Sequence, residues 1–259
     1  MRITLIIVFV AACSTNLTPQ PTLDGALPSC VPNRDGTITA DELPVVLGAT
    51  LPYYAESNQT IDQTLHDGVW DLSLERADDM TVHVGPVALG SQWYAAEFPS
   101  GQFVVDAGSG IDGIYHQDAQ ALWLDGTASQ AMSPKTFVRY TDPVAVLRFP
   151  IAAGDAYHTD AQIPDGIVSD LPFIGSDAVD VAVTASGQLD VPYVHFSPVL
   201  EVQEHIVRAP TSGSPTVGTR TTLFLFECFG EIARAESKTD EPDADFTQAA
   251  YLRRYALGE

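Results

Sequence analysis

Nucleophilic and acid–base chemistry needs a Ser, Cys, His or carboxylate held against a partner, so those residue types come first. Ser109 lies between glycines in Gly108-Ser109-Gly110. A G-x-S-x-G elbow needs a Gly where Ala107 stands, so the run reads as a tight turn. His66, His83, His116, His158, His195 and His205 show neither H-x₃-H nor H-E-x-x-H spacing and read as surface or partly packed side chains. Asp78-Asp79 offers an acid and a base, but among 34 acidic residues no pair stands out at glycosidase separation, and a solvated turn is the plainer reading. Trp93, Tyr94, Tyr115 and Trp123 fall in neighbouring hairpins, where they either pack a sheet face or offer a stacking platform to sugars. No phosphate loop, Cys-rich zinc pattern or dinucleotide fingerprint is present. The expectation is a protein without catalytic residues.

The elements that must position these residues are strands. Asp outnumbers Glu 23 to 11, and only Lys135 and Lys238 accompany ten Arg. Asp bonds its own local backbone and suits turns, whereas exposed helical faces favour Glu and Lys. Nineteen Gly and 18 Pro point the same way. The formal charge of −22 over 259 residues, with no basic patch, argues against binding to nucleic acid. Apolar residues at 45% supply a sizeable core, so the chain is neither disordered nor a multi-span membrane protein.

The first residues carry an address. Arg2 is followed by an apolar run from Ile3 to Ala12, about half the roughly 20 residues a spanning helix needs. The order Val10-Ala11-Ala12-Cys13 resembles a bacterial lipobox. That resemblance implies a signal peptide over 1–12, diacylglycerol on the Cys13 thiol, and a membrane partner reached through the acyl chains. Two or more acyl chains anchor a protein stably where one does not. Ser14 after the Cys implies delivery to the outer membrane, on its periplasmic face or at the cell surface. With Cys13 acylated, Cys30 and Cys228 remain either as one disulfide, consistent with export, or as two free thiols.

Residues 13–30 hold three prolines and no apolar period, and read as a flexible tether. Residues 31–43 follow. Val31 to Glu42, aligned on Gly36 as the sixth position, resembles an EF-hand calcium loop. The resemblance implies Asn33, Asp35, the Thr37 carbonyl and Glu42 as Ca²⁺ ligands. Val31 replaces the first acidic ligand, and Pro28 and Pro44 disfavour the flanking helices. A rigid Asx-type turn without metal is the alternative.

Residues 44–259 are expected to form one antiparallel β domain. Val179, Val181 and Val183 alternate with Asp180 and Ala182, and Leu223 to Cys228 look buried on both faces. About a dozen short strands are expected, including 44–56, 79–87, 93–98, 135–141, 144–149, 177–185, 188–194, 196–208, 219–228 and 230–237, with a last strand within 246–257. The segments 147–155, 183–192 and 224–232 resemble uncharacterised exported β-rich lipoproteins of Gram-negative bacteria. The implied fold is all-β, a single curved antiparallel sheet, open barrel or sandwich, whose concave apolar face takes a hydrophobic ligand or an envelope partner. A calcium-stiffened carbohydrate-binding module is the second reading, and a secreted hydrolase the third.

Overall fold

The computed structural model describes residues 30–211, 213 and 215–257. The signal expected over 1–12, Cys13 and all of the tether except Cys30 lie outside the described residues. In chain order the strands are β1 (Thr37–Ile38), β2 (Leu51–Thr60), β3 (Val69–Asp71), β4 (Met80–Val84), β5 (Val87–Ala88), β6 (Phe103–Gly108), β7 (Ile111–Gln117), β8 (Ala121–Ser129), β9 (Phe137–Arg148), β10 (Ile151–Ala152), β11 (Ala156–Val168), β12 (Leu171–Val191), β13 (Val194–Pro210), β14 (Val217–Phe226), β15 (Gly230–Ser237) and β16 (Gln248–Tyr255).

Fourteen strands form one sheet in the order β4-β2-β16-β15-β14-β13-β12-β11-β9-β8-β7-β6-β5, with β3 added in parallel to β12. Strands β1 and β10 form a separate ribbon. The order is largely a meander, because short Asp- and Gly-bearing turns connect antiparallel neighbours directly. The C-terminal β16 pairs with β2, which joins the early β2–β4 pair to the end of the meander. Strands β4 and β5 remain as edges, so the sheet is open. The all-β curved sheet and the last strand match the expectation.

Several expected strands differ in extent. Residues 44–50 form a turn segment rather than the start of a strand: Pro44 lacks a donor, Gly48 takes φ +82°, and Gly48 N–H reaches Pro86 O at 2.8 Å. Residues 93–98 do not form a strand either. Ala95–Glu97 is a 3-10 turn; Ala95 and Ala96 have no branched side chain to favour a pleat, and the turn buries Tyr94 and Phe98 together. The expected strands 177–185 and 188–194 are continuous through Val191 as the 21-residue β12. Its register shifts between Val183 and Ala185 and between Gly187 and Leu189; such bulges let a long strand bend with the sheet. Likewise 135–141 and 144–149 merge into β9.

Alternation then sorts the side chains. Val179, Val181 and Val183 of β12 share an inner core with Leu200 and Val202 of β13, Leu225 of β14, and Leu124, Val144 and Leu147 of β8 and β9. The opposite face packs Trp70 against Phe224, with Leu189 and Val199 beside them. The sheet curls until strands from opposite ends of its order meet across the inner face. There Arg253 of β16 donates to Asp106 O at 3.1 Å, and Arg234 of β15 donates to Ala107 O at 3.1 Å. The β6–β7 turn can approach so closely because residue 108 is glycine. Its φ is +100°, and an added Cβ would lie 2.5 Å from Glu236 Oε1.

Candidate functional site

The curl encloses a cavity of about 400 Å³, within the size range of small-molecule sites. Its wall is mostly apolar. Strands β2, β6, β8, β9 and β14 contribute Leu51, Val105, Leu122, Val146, Leu223 and Leu225, while the turn segment after Leu43 lies across one side. Phe103 and Tyr115 stack at 5.8 Å on the β6–β7 pair. Burial pushes the Tyr115 hydroxyl up to about 12, so it stays protonated. Cys30 and Cys228 lie at the same cavity, joined as a disulfide with Cα atoms 5.5 Å apart.

One part of the lining is charged. Register places Arg234 opposite Leu223 on one side and Arg253 on the other, so both guanidinium groups share the inner face. Glu231 binds both arginines: Arg234 Nε reaches Oε2 at 3.1 Å and Arg253 Nε reaches Oε1 at 3.0 Å. Arg234 Nη1 also lies 3.3 Å from Glu236 Oε1. Arg253 stacks over the Tyr53 ring at 5.3 Å, and Tyr53 donates to Glu231 O at 2.6 Å. Burial works to raise the Glu231 carboxyl, but the Arg253 and Arg234 charges hold it below its ordinary value. Burial raises Glu236 and Glu204, which Arg234 offsets only in part.

Glu204 stands apart within this set. It lies two residues beyond Val202 on the inner face of β13 and lines the cavity. Its carboxyl group makes no hydrogen bond to the described residues, and only charge connects it to Arg234, Glu231 and Glu236. Gln117 Oε1, also on a lining residue, is buried without a partner, while its Nε2 donates to Ala40 O and Leu43 O at 3.2 Å. The sequence reading missed these residues. Arg234 and Glu236 alternate on β15, but Glu231 joins their face only through the bulge opposite Phe224 and Leu225, and only the register between β14, β15 and β16 turns that face inward.

The structure gathers the expected loop residues. Asp35 accepts from Thr37 N at 2.9 Å, and Glu42 accepts from Thr39 N at 3.0 Å. The Asn33 amide nitrogen lies between the carboxylates, 3.2 Å from Asp35 Oδ2 and 2.7 Å from Glu42 Oε1. Gly36 takes φ +85°, as the sharp turn requires. Hydrogen bonds from Thr37 hold the Asp35 carboxyl below its ordinary value. Arg34 N donates to Glu227 Oε2 at 2.8 Å and Cys228 N to Glu42 O at 2.7 Å, so the disulfide and the loop share one anchorage.

Other singled-out residues are dispersed. Ser109 Oγ lies 3.4 Å from Glu236 Oε2. Asp125 stands between Ser100 and His116, an order that leaves the serine without a histidine base. Asp78 accepts from Gln59 while Asp79 pairs with Arg254. Trp93 packs edge-on against Tyr94 and Phe137, whereas Trp123 stacks on His116. These aromatics do not form one face. No helix among the described residues is long and apolar enough to cross a membrane. No protein-family model, curated protein or solved structure matches the chain.

Proposed function

We propose that this chain is a lipid-anchored cell-envelope lipoprotein with a non-enzymatic binding role, held at the outer membrane through Cys13 and offering its inner cavity to a hydrophobic ligand. The observation that carries the binding role is the cavity itself: one apolar space of about 400 Å³ toward which both ends of a single sheet curl. A sheet built only to be stable would fill that space with side chains. The Cys30–Cys228 bond supports residence in an oxidising compartment.

Titrating the folded protein with the neutral dye N-phenyl-1-naphthylamine tests the binding role. One saturable site, competed by dodecyl-chain amphiphiles, is expected; fluorescence that never saturates would remove the reading. Mass analysis of the natural product should find acyl chains on Cys13, and a bare thiol behind an intact leader would remove the anchor.

A calcium-stiffened module is the second reading, favoured by the convergence of Asp35 and Glu42 on one point. If the loop takes Ca²⁺, the side chain of Asn33 turns its oxygen toward the ion. Millimolar Ca²⁺ then raises the melting temperature by a few degrees, equivalent to about 1 kcal/mol. Asp35→Ala abolishes that rise. No shift in the parent protein ends the reading.

A further inference from the structure

The polar residues lining the cavity specify more than an apolar guest. Two lining guanidinium groups, Arg234 and Arg253, stand against the lining carboxyl groups Glu204, Glu231 and Asp106, with Glu236 beside Arg234; Asp106 accepts from Gly108 N at 2.8 Å. Glu231 and Glu236 are bound by the arginines, which leaves Glu204 as the surplus carboxyl. Gln117 Oε1 is a second acceptor without a donor. On the donor side, Nη2 of Arg234 takes no part in its hydrogen bonds to Glu231, Glu236 and Ala107. The site therefore presents an unpaired acceptor and an unpaired donor within one charged group, beside an apolar wall.

Three kinds of head group can be weighed against that pattern. A fatty carboxylate accepts from Arg234 but adds negative charge beside Glu204. An alkylammonium ion donates to Glu204 but must approach two guanidinium groups. A hydroxyl both donates and accepts, so it satisfies Glu204 and Arg234 without adding charge. Deepening the ligand-binding reading, on which this step rests, we propose that the cavity takes a neutral amphiphile whose hydroxylated head, of the acylglycerol or alkyl glycoside kind, bonds Glu204 and Arg234 while its tail lies along Val105, Leu122, Val146, Leu223 and Leu225.

The test uses full-length protein loaded with N-phenyl-1-naphthylamine and competes the dye with 1-monolauroylglycerol, dodecyl glucoside, laurate and dodecylamine, each below its micellar concentration. At least one hydroxylated probe should compete about ten-fold more strongly than laurate and dodecylamine. Glu204→Leu should remove that preference, and Glu204→Gln, which keeps a donor and an acceptor, should retain most of it. Near-ultraviolet circular dichroism checks that each variant is folded, and the parent's ranking decides the proposal if a variant is not. Equal competition by all four probes, or dodecylamine or laurate strongest, overturns the head-group assignment but leaves the cavity reading intact. Absence of saturable dye binding in the parent overturns both.

Discussion

Two groups of buried charge lie on opposite faces of the β2–β16–β15 region, and they are finished differently. On the outer face, Arg254 donates to Leu72 O at 2.8 Å, Leu74 O at 2.6 Å and Asp79 Oδ1 at 2.7 Å, and also pairs with Glu56. Arg76 reaches the second Glu56 oxygen at 3.0 Å. Two cations thus meet two anions, and among the fully buried side-chain polar atoms of these four residues only Arg254 Nε lacks a partner. On the inner face, Arg234 and Arg253 stand among the carboxyl groups of Asp106, Glu204, Glu231 and Glu236, and Glu204 has no donor. The outer group ties the segment after β3 to the sheet edge. The inner group keeps spare hydrogen-bonding capacity at a cavity. Similar residue types therefore do different work, depending on whether the protein itself completes their bonds.

The largest effect should come from opening the outer group. Arg254→Met leaves Glu56 and Asp79 buried without their main counter-ion, and urea denaturation should record a loss of about 3–5 kcal/mol. A loss below about 1 kcal/mol would mean that this group is not structural.

A buried acid outside both groups, Glu201, sharpens the contrast through pH. Burial pushes the Glu201 carboxyl from 4.5 up to about 7, although Thr184 donates to it. The folded chain therefore binds this proton more tightly than the unfolded chain does. The stabilisation is complete below about pH 4.5 and is lost as pH rises through about 7. At pH 8, Glu201→Gln should be more stable than the parent by up to about 3 kcal/mol, with the gain disappearing near pH 4.5. Parallel stability curves for the two proteins between pH 4.5 and 8 would contradict this.

Gly108→Val forces a Cβ toward Glu236 and Tyr251 at a φ of +100°. It should cost about 1–3 kcal/mol and weaken dye binding, because the β6–β7 turn moves off β15. Unchanged stability together with unchanged dye affinity would show that the contact does not close the cavity. The smallest change in stability is expected at Glu204. Replacing an unpaired, half-buried acid with Leu should leave stability within about 1 kcal/mol of the parent, or raise it, since no side-chain hydrogen bond to the protein is lost. A loss above about 2 kcal/mol would place Glu204 with the structural charges.

The alternation of Val179, Val181 and Val183, and the double-sided burial of 223–228, were readable because a pleated strand repeats every two residues. The Cys30–Cys228 pairing was legible as one of two outcomes once Cys13 was set aside. Continuity through 186–187 was not, since Ser186-Gly187 signals a turn as readily as a bulge. Nor was the turn at 95–97, where two alanines carry little pattern. The cavity's charges were hidden for a further reason. Glu204, Arg234 and Arg253 come from three strands, and only the register across β13 to β16 brings them to one face. The loop residues Asn33, Asp35 and Glu42 were visible as a group because they lie within one short stretch of chain.

Native mass spectrometry of the folded full-length protein with dodecyl glucoside, below its micellar concentration, tests the central claim most directly. One bound molecule per chain, displaced by N-phenyl-1-naphthylamine, is the result expected of an inner cavity built to hold an amphiphile. A spectrum without that adduct, or a ladder of many indistinguishable adducts, would contradict it.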